Sequence, residues 1–349
     1  MARPMDWFLS RVPISGEHLR EFTNEPVPNH MKLWWFCLGG TPAYLFVVQI
    51  VTGILLAIYY QPAPATAYES IQHITNDVTL GWYFRSLHKW AATLMIAAVI
   101  LHQMRVYFTG AYRAPREINW MIGMCLLLAT LGLGFTGYSL VFEQLSYWGA
   151  TVGGNILGTV PVIGMPLRWM LLAGEEYNDQ TLPRFFILHA AILPVTMVAL
   201  IAAHILLIRL HGVTEFKMPG AKADEPEHFH FFPDHFFTEL IMGLVLMVIL
   251  SALATVLPAT IGDKADPLTT PEVIKPEWFF YATFRWLKLF SSTFAVLSMG
   301  LIVFTMFLWP WVDAALRKIT GWEEISVYIG ILAVFAITGL TVFEAAVAH

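Results

Sequence analysis

Four histidines sit in stretches of this chain that offer them almost no polar company. The stretch HKWAATLMIAAVILH carries His88 and His102, fourteen residues apart. HAAILPVTMVALIAAH carries His189 and His204, fifteen apart. Fourteen residues are close to four helical turns, so the first two rings point nearly the same way, ~21 Å apart along the axis. Fifteen residues rotate the second pair by ~60°, still one broad face. Pro194, between them, can bend or unwind the helix. A lone histidine inside a membrane is usually a helix–helix hydrogen-bond residue or a proton relay. Four at matched depths on two facing helices suit another chemistry: gripping two flat, apolar metal macrocycles, one near each membrane surface. Haem fits, because imidazole is a good iron ligand and ligation by two histidines leaves no open position for oxygen. Such an arrangement conducts electrons across a membrane. The competing reading is a divalent-metal transport path. It calls for carboxylates beside the histidines, and the interiors of these two runs have none.

The elements that must hold these rings follow from composition. The chain is 57% hydrophobic and 13% charged, where ordinary soluble domains are about 25% charged. Its apolar residues form runs rather than 3.6-period stripes. Seven runs are long enough to cross a bilayer, at roughly 33–60, 82–109, 118–141, 184–209, 236–258, 291–312 and 325–347. The runs lack barrel-like alternation, and lipid tolerates only helices or closed barrels, so an all-α, polytopic membrane protein is expected. Residues 1–31 are polar, with no apolar core of a cleavable signal peptide, and are expected on the cytoplasmic surface. With the N-terminus inside, 12 of the 20 lysines and arginines fall on the inner side. Loops 61–81, 142–183 and 259–290 and the C-terminus then lie outside. The charged loop 211–235 is a seam between a four-helix part, 1–210, and a three-helix part, 236–349. Cys37 and Cys125 both lie in apolar runs, outside any CxxC or CxxCH, so no disulfide framework or zinc site is expected. Nothing in the composition points to nucleic acid.

Glycine permits close backbone approach to a bound macrocycle. Gly39 and Gly53 on the first run are fourteen apart, as are Gly123 and Gly137 on the third. They repeat the spacing of His88 and His102. Ordinary small-residue helix packing is the alternative. Arg85, three before His88, and Arg105, three after His102, are placed to pair with haem propionates or to snorkel to lipid headgroups. Arg209, at the end of the fourth run, joins them as a cofactor-binding candidate.

The sequence resembles cytochrome b of the quinol–cytochrome c oxidoreductases, the bc and bf complexes, over nearly the whole chain. The carrying segments are RSLHKW around His88, LHQMRVYFTGAYRAPRE around His102, FTGYSL around Gly137, and YWGATVGGNILGTVPVIG from Tyr147. RFFILH ending at His189, HILLIR from His204, and PEWF from Pro276 to Phe279 complete them. Within the family it looks closest to the chloroplast and cyanobacterial type, which also spaces its second histidine pair by fifteen and has CLGG, here Cys37 to Gly40. In that type the four-helix and three-helix parts are separate polypeptides; here they look fused, without the eighth helix of the mitochondrial form.

The resemblance implies one haem b on His88 and His189 near the outer surface and a second on His102 and His204 near the inner one. It implies a third, c-type haem bound through one thioether to Cys37; a buried packing cysteine is the alternative. It implies a quinol site at Pro276, Glu277, Trp278 and Phe279, with Glu277 taking a proton from the quinol. One electron then goes to a Rieske iron–sulfur partner and the other inward to a quinone, with protons released outside and taken up inside. Asp234 and the histidines of HFHFFPDH are candidates for feeding that inner quinone. A c-type cytochrome, a homodimer and a bacterial cytoplasmic or thylakoid-like membrane are implied in the same way. Three departures touch the outer site. VFEQ, Val141 to Gln144, stands for the family's frequent Pro-Trp-(Gly or Asp)-Gln; Lys89 replaces a frequent arginine; and Phe279 replaces tyrosine. The rivals are a haem-bearing anchor for another enzyme, which has no use for PEWF, a histidine-bearing transporter, and a structural subunit without cofactors.

Overall fold

A computed structural model describes residues 24, 26–33, 38–215 and 228–347. Long runs without interior charge leave each backbone amide only its own helix as a partner, and the chain is accordingly helical. The order is β1 (Pro26–Pro28), α1 (Gly40–Ala57), α2 (Ala67–Asn76), α3 (Gly81–Phe108) and α4 (Glu117–Ser139). Then come α5 (Gln144–Gly158), α6 (Gly164–Leu172), α7 (Thr181–His211), β2 (His228–His230) and α8 (Phe236–Val256). The chain continues through α9 (Tyr281–Leu289), α10 (Ser292–Phe307), α11 (Trp309–Thr320) and α12 (Ile325–Ala346). β1 and β2 pair antiparallel, Val27 opposite Phe229.

Six helices among the described residues are long and apolar enough to cross a membrane: α1, α3, α4, α7, α8 with its preceding turn, and α12. The sixth run expected over 291–312 is bent. α10 stops at Phe307 and α11 departs at 79°. The cause is Pro310, which has no amide proton for the preceding helix and is tolerated only in the first turn of a new one. Counted together, the bent pair makes a seventh span. Val51, Ile54, Leu206, Val248, Leu332 and Phe335 are exposed on the spanning helices, as lipid-facing residues are in a multi-pass membrane protein.

α1, α3, α4 and α7 enclose the core, and α8 joins it. Leu45 and Phe46 of α1, Leu87, Ala91 and Met95 of α3, Met197 of α7, and Leu250 and Ala254 of α8 form one buried cluster. Polar clasps fasten the later helices to the first four. The Trp90 indole donates to the Leu257 carbonyl at 2.8 Å, that of Trp120 to Met306 at 2.6 Å, and the Tyr107 hydroxyl to Ser326 at 2.9 Å. Asp313, fully buried, accepts from Arg113 at 3.0 Å and Arg317 at 3.1 Å, and from the Ser326 hydroxyl.

The fifteen-residue histidine spacing is absorbed locally. Leu188–Ile192, which contains His189, is a π turn, closed by the Leu193 amide on the Leu188 carbonyl. A π turn takes up one extra residue without an extra turn. His189 and His204 therefore stand as a fourteen-residue spacing would leave them, and the rotation expected from a regular helix does not arise.

Candidate functional site

The four imidazoles meet in two pairs between α3 and α7. The ring centroids of His88 and His189 are 6.2 Å apart, and those of His102 and His204 are 6.4 Å apart. The rings are nearly perpendicular, at 74° and 78°. Two imidazoles on opposite sides of one metal, with bonds of ~2 Å, place their centroids ~6 Å apart. Both pairs fit that group.

Each ring is seated on one of the four glycines singled out in the sequence. A Cβ built on Gly53 would lie 3.3 Å from His88 Cε1, and one on Gly137 only 2.6 Å from His189 Cε1. At the other pair, Gly39 faces His102 Cε1 at 3.6 Å and Gly123 faces His204 Cε1 at 3.9 Å. α1 and its N-cap residue thus carry the seats for the histidines of α3, and α4 those for the histidines of α7.

Hydroxyls add a second restraint at one pair. Thr52 Oγ1 is 2.8 Å from His88 Nδ1, and Thr136 Oγ1 is 3.2 Å from His189 Nδ1. The Gln49 side chain donates to the His88 carbonyl at 3.0 Å. His102 Nδ1 is buried with no hydrogen-bond partner among the described residues.

The arginines divide. Arg85 is buried, and its terminal nitrogens donate to the carbonyls of Ala259 at 2.7 Å and Thr260 at 2.8 Å. Its guanidinium thus ties α3 to the loop after α8, a long-range contact that sequence spacing does not reveal. The Arg209 guanidinium lies 5.4 Å from the centre of the Phe231 ring. Arg105 is close enough to His30, buried at the opposite end of the bundle from PEWF, to add to the lowering of that imidazole's pKa; burial is the larger cause. Cys37 lies outside the described residues, and Cys125 is a free, half-buried cysteine of α4.

Near the Glu277 end a cavity of about 180 Å³ opens between α4, α5 and α9. Pro276, Glu277 and Phe280 line it, with Tyr138 of α4, Gly153 of α5 and Phe284 of α9. Its wall is almost wholly apolar, so Glu277 and Tyr138 stand out as its polar chemistry. Trp278 and Phe279 are not in that lining. Phe279 instead packs where a Cβ on Gly134 would fall, at 3.1 Å. Tyr138 lines this cavity but is not among the candidates singled out in the sequence, although FTGYSL contains it; its place one residue after Gly137 is the available signal.

VFEQ has a structural task. Glu143 caps α5 in a reciprocal box with Ser146 and accepts the Gly262 amide at 2.6 Å. Gln144 accepts the Asp266 amide at 2.7 Å and donates to the Thr269 carbonyl at 2.6 Å. These bonds hold the long loop that leads to PEWF. Beyond that loop the last helix grips both flanks of the motif: Lys275 donates to the Val347 carbonyl at 2.7 Å and Lys288 to buried Glu344 at 2.8 Å.

At the opposite end an open groove of about 630 Å³ is lined by Lys32, Phe229, Pro233, Asp234, Phe237 and Thr238. It lies beside the β1–β2 pair. Glu239, one turn along α8, fills the space beside Gly40, next to the glycine that seats His102.

Comparison with known proteins identifies the family of both parts of the chain. The family described as Cytochrome b/b6/petB matches residues 22–212, and that described as Cytochrome b(C-terminal)/b6/petD matches residues 264–349. Cytochrome b6 of Heliobacterium mobile is 44% identical over 211 residues, 60% of this chain and 99% of that protein. The cytochrome bc complex cytochrome b subunit of Chlorobaculum thiosulfatiphilum is 36% identical over 304 residues, 86% of this chain and 70% of that protein. A chain of a hyperthermophilic respiratory Complex III shares the fold, with a TM-score of 0.85 at 24% identity, over 99% of this chain and 92% of that one.

Proposed function

The chain belongs to the cytochrome b/b6 family, and from that premise we propose that it is the electron-transfer subunit of a quinol:cytochrome c, or plastocyanin-like, oxidoreductase. One observation carries the reading: two imidazole pairs at the ring separation of a shared metal, each ring seated on a glycine. The family implies b haems. His88 and His189 are assigned to the outer haem, and His102 and His204 to the inner one. Bound there, the haems supply one-electron chemistry along the bundle axis. Arg105 and Arg209 are assigned to their propionates, and Arg85 to the loop that approaches PEWF. Cys37 is assigned to a thioether-bound haem c beside the inner site.

The cavity at Glu277 takes the quinol head. Its apolar walls exclude water, and Glu277 accepts a hydroxyl proton and passes it to the outer surface. Tyr138, in the same wall, offers the only aromatic hydroxyl of that lining to a quinol oxygen. Oxidation is bifurcated: one electron leaves to a Rieske partner, and the other crosses to a quinone in the groove at Lys32 and Asp234. Proton release outside and uptake inside then build a transmembrane potential. The N-terminus is cytoplasmic, the C-terminus outside, and the assembly is a homodimer that also contains a c-type cytochrome.

The test is a pyridine haemochrome spectrum of the purified protein before and after acid–acetone extraction. Two extractable b haems and one retained by the polypeptide support the histidine and Cys37 assignments together. Two extractable haems with none retained keep the histidines and return Cys37 to packing. No haem in a folded preparation overturns the reading and brings the transporter forward.

A further inference from the structure

Among the described residues, the outer histidine pair has a hydroxyl restraint that the inner pair lacks. Thr52 is 2% exposed and Thr136 is 4% exposed, so water does not compete for either hydroxyl. Thr52 Oγ1 lies 2.7 Å from the Val48 carbonyl oxygen and 2.8 Å from His88 Nδ1. A hydroxyl has one proton to give, and a carbonyl can only accept. The proton therefore goes to Val48, and Oγ1 accepts from Nδ1–H of His88. Thr136 repeats the arrangement, 2.8 Å from the Gly132 carbonyl and 3.2 Å from His189 Nδ1. Both imidazoles are thereby held as the Nδ1–H tautomer, with the Nε2 lone pair left for a metal. Each threonine directly precedes the glycine that seats the same ring, Gly53 or Gly137. At the inner pair the residues before the seating glycines are Leu38 and Ile122, which have no hydroxyl.

We propose that Thr52 and Thr136 are positioning residues that fix the tautomer of His88 and His189 and lower the reduction potential of the haem these histidines hold. The proposal rests on the histidine assignment above. An imidazole whose distal N–H is hydrogen-bonded is a more basic ligand. A more electron-donating ligand stabilises ferric over ferrous iron, so the one-electron reduction becomes harder. Among the described residues these hydroxyl contacts occur only at the pair nearer Glu277, and the shift belongs to the haem held there. An electron arriving there from a quinol is then held less tightly than at His102 and His204, and inward transfer is favoured by residues that touch neither quinol nor iron.

The test is a potentiometric titration of the α-bands of the purified holo-complex for the wild type, Thr52→Val, Thr136→Val and the two serine variants. Each valine variant is expected to raise one haem's midpoint by about a tenfold change in the ferric/ferrous ratio, ~59 mV for a one-electron couple. The other haem serves as an internal control and stays put. Serine, which keeps the acceptor, is expected to leave both midpoints at the wild-type values. Two bound haems with both midpoints unmoved in the valine variants overturn the proposal and leave the histidine assignment standing. A wild-type preparation without haem overturns that assignment instead. If valine empties the outer site, serine must restore both the haem and its midpoint; a serine variant that restores neither sinks the proposal.

Discussion

The four seating glycines differ in how much room they leave, and that difference sets an order of damage for alanine. Non-bonded carbons rest at about 3.5–4.0 Å. An alanine Cβ at position 137 would lie 2.6 Å from His189 Cε1 and 3.2 Å from both ring nitrogens. The ring must move by ~1 Å, an overpacking cost of ~1–3 kcal/mol and a displacement of the kind that ruins a positioned group. At position 53 the approach is 3.3 Å, so a shift of a few tenths of an ångström suffices. At 39 and 123 the approaches are 3.6 and 3.9 Å, ordinary contact. At 123, inside α4, the sign turns, because alanine is favoured over glycine in a helix interior by about 0.5–1 kcal/mol; Gly39 caps α1, where glycine is preferred over alanine, and no such gain applies. Gly137→Ala is thus expected to lose the outer haem largely and Gly53→Ala to lose it partly. Gly39→Ala and Gly123→Ala keep both haems, with Tm unchanged or raised for Gly123→Ala and unchanged or slightly lowered for Gly39→Ala. The assay is haem per polypeptide from the α-band of detergent-purified protein, with a thermal melt of each variant. Full haem content in Gly137→Ala, or equal loss in Gly123→Ala, would refute the reasoning from contact distances.

Three further outcomes are expected. Glu277→Gln should slow quinol oxidation while leaving both b-haem spectra intact, and normal turnover in a stopped-flow quinol assay would end its role as proton acceptor. Asp313→Asn removes the buried charge that holds Arg113 and Arg317, at ~3 kcal/mol, which a lowered Tm would register. His30 is held below its ordinary pKa by burial first and by Arg105 second. The unfolded chain therefore binds a proton that the folded one refuses. Stability attributable to this group is full above ~6.5 and falls as pH drops through that value; His30→Gln should flatten that part of the pH–Tm curve.

Much of the site was legible because the membrane makes polar residues conspicuous. His88, His102, His189 and His204 stand out against apolar neighbours, and helical geometry alone sorts them into depths. The glycine spacing repeats that of the first pair for a steric reason, which the Cβ distances express. What could not be read depends on contacts between distant segments or on irregular backbone. The π turn at Leu188–Ile192 cancels a rotation that a regular helix demands. Arg85 stands one turn from a histidine, yet its partners are carbonyls 174 and 175 residues further on. VFEQ looked like a departure from a motif, and its glutamate and glutamine anchor the 262–269 loop. Pro310 was visible, but a window of apolar residues carried the sixth span past it.

The clasps between the first four helices and the rest have a consequence for the covalent link between them. Arg85, Trp90, Tyr107, Arg113 and Trp120 all bond to residues beyond 250, none of them in the connecting segment. Recognition between the two parts is thus written into their faces. The connection contributes something else: it replaces a second-order encounter in the bilayer with an intramolecular one, at an effective concentration set by the tether. Severing the chain within 216–227 therefore changes how often the parts meet and in what ratio they are made, while the assembled interface stays the same.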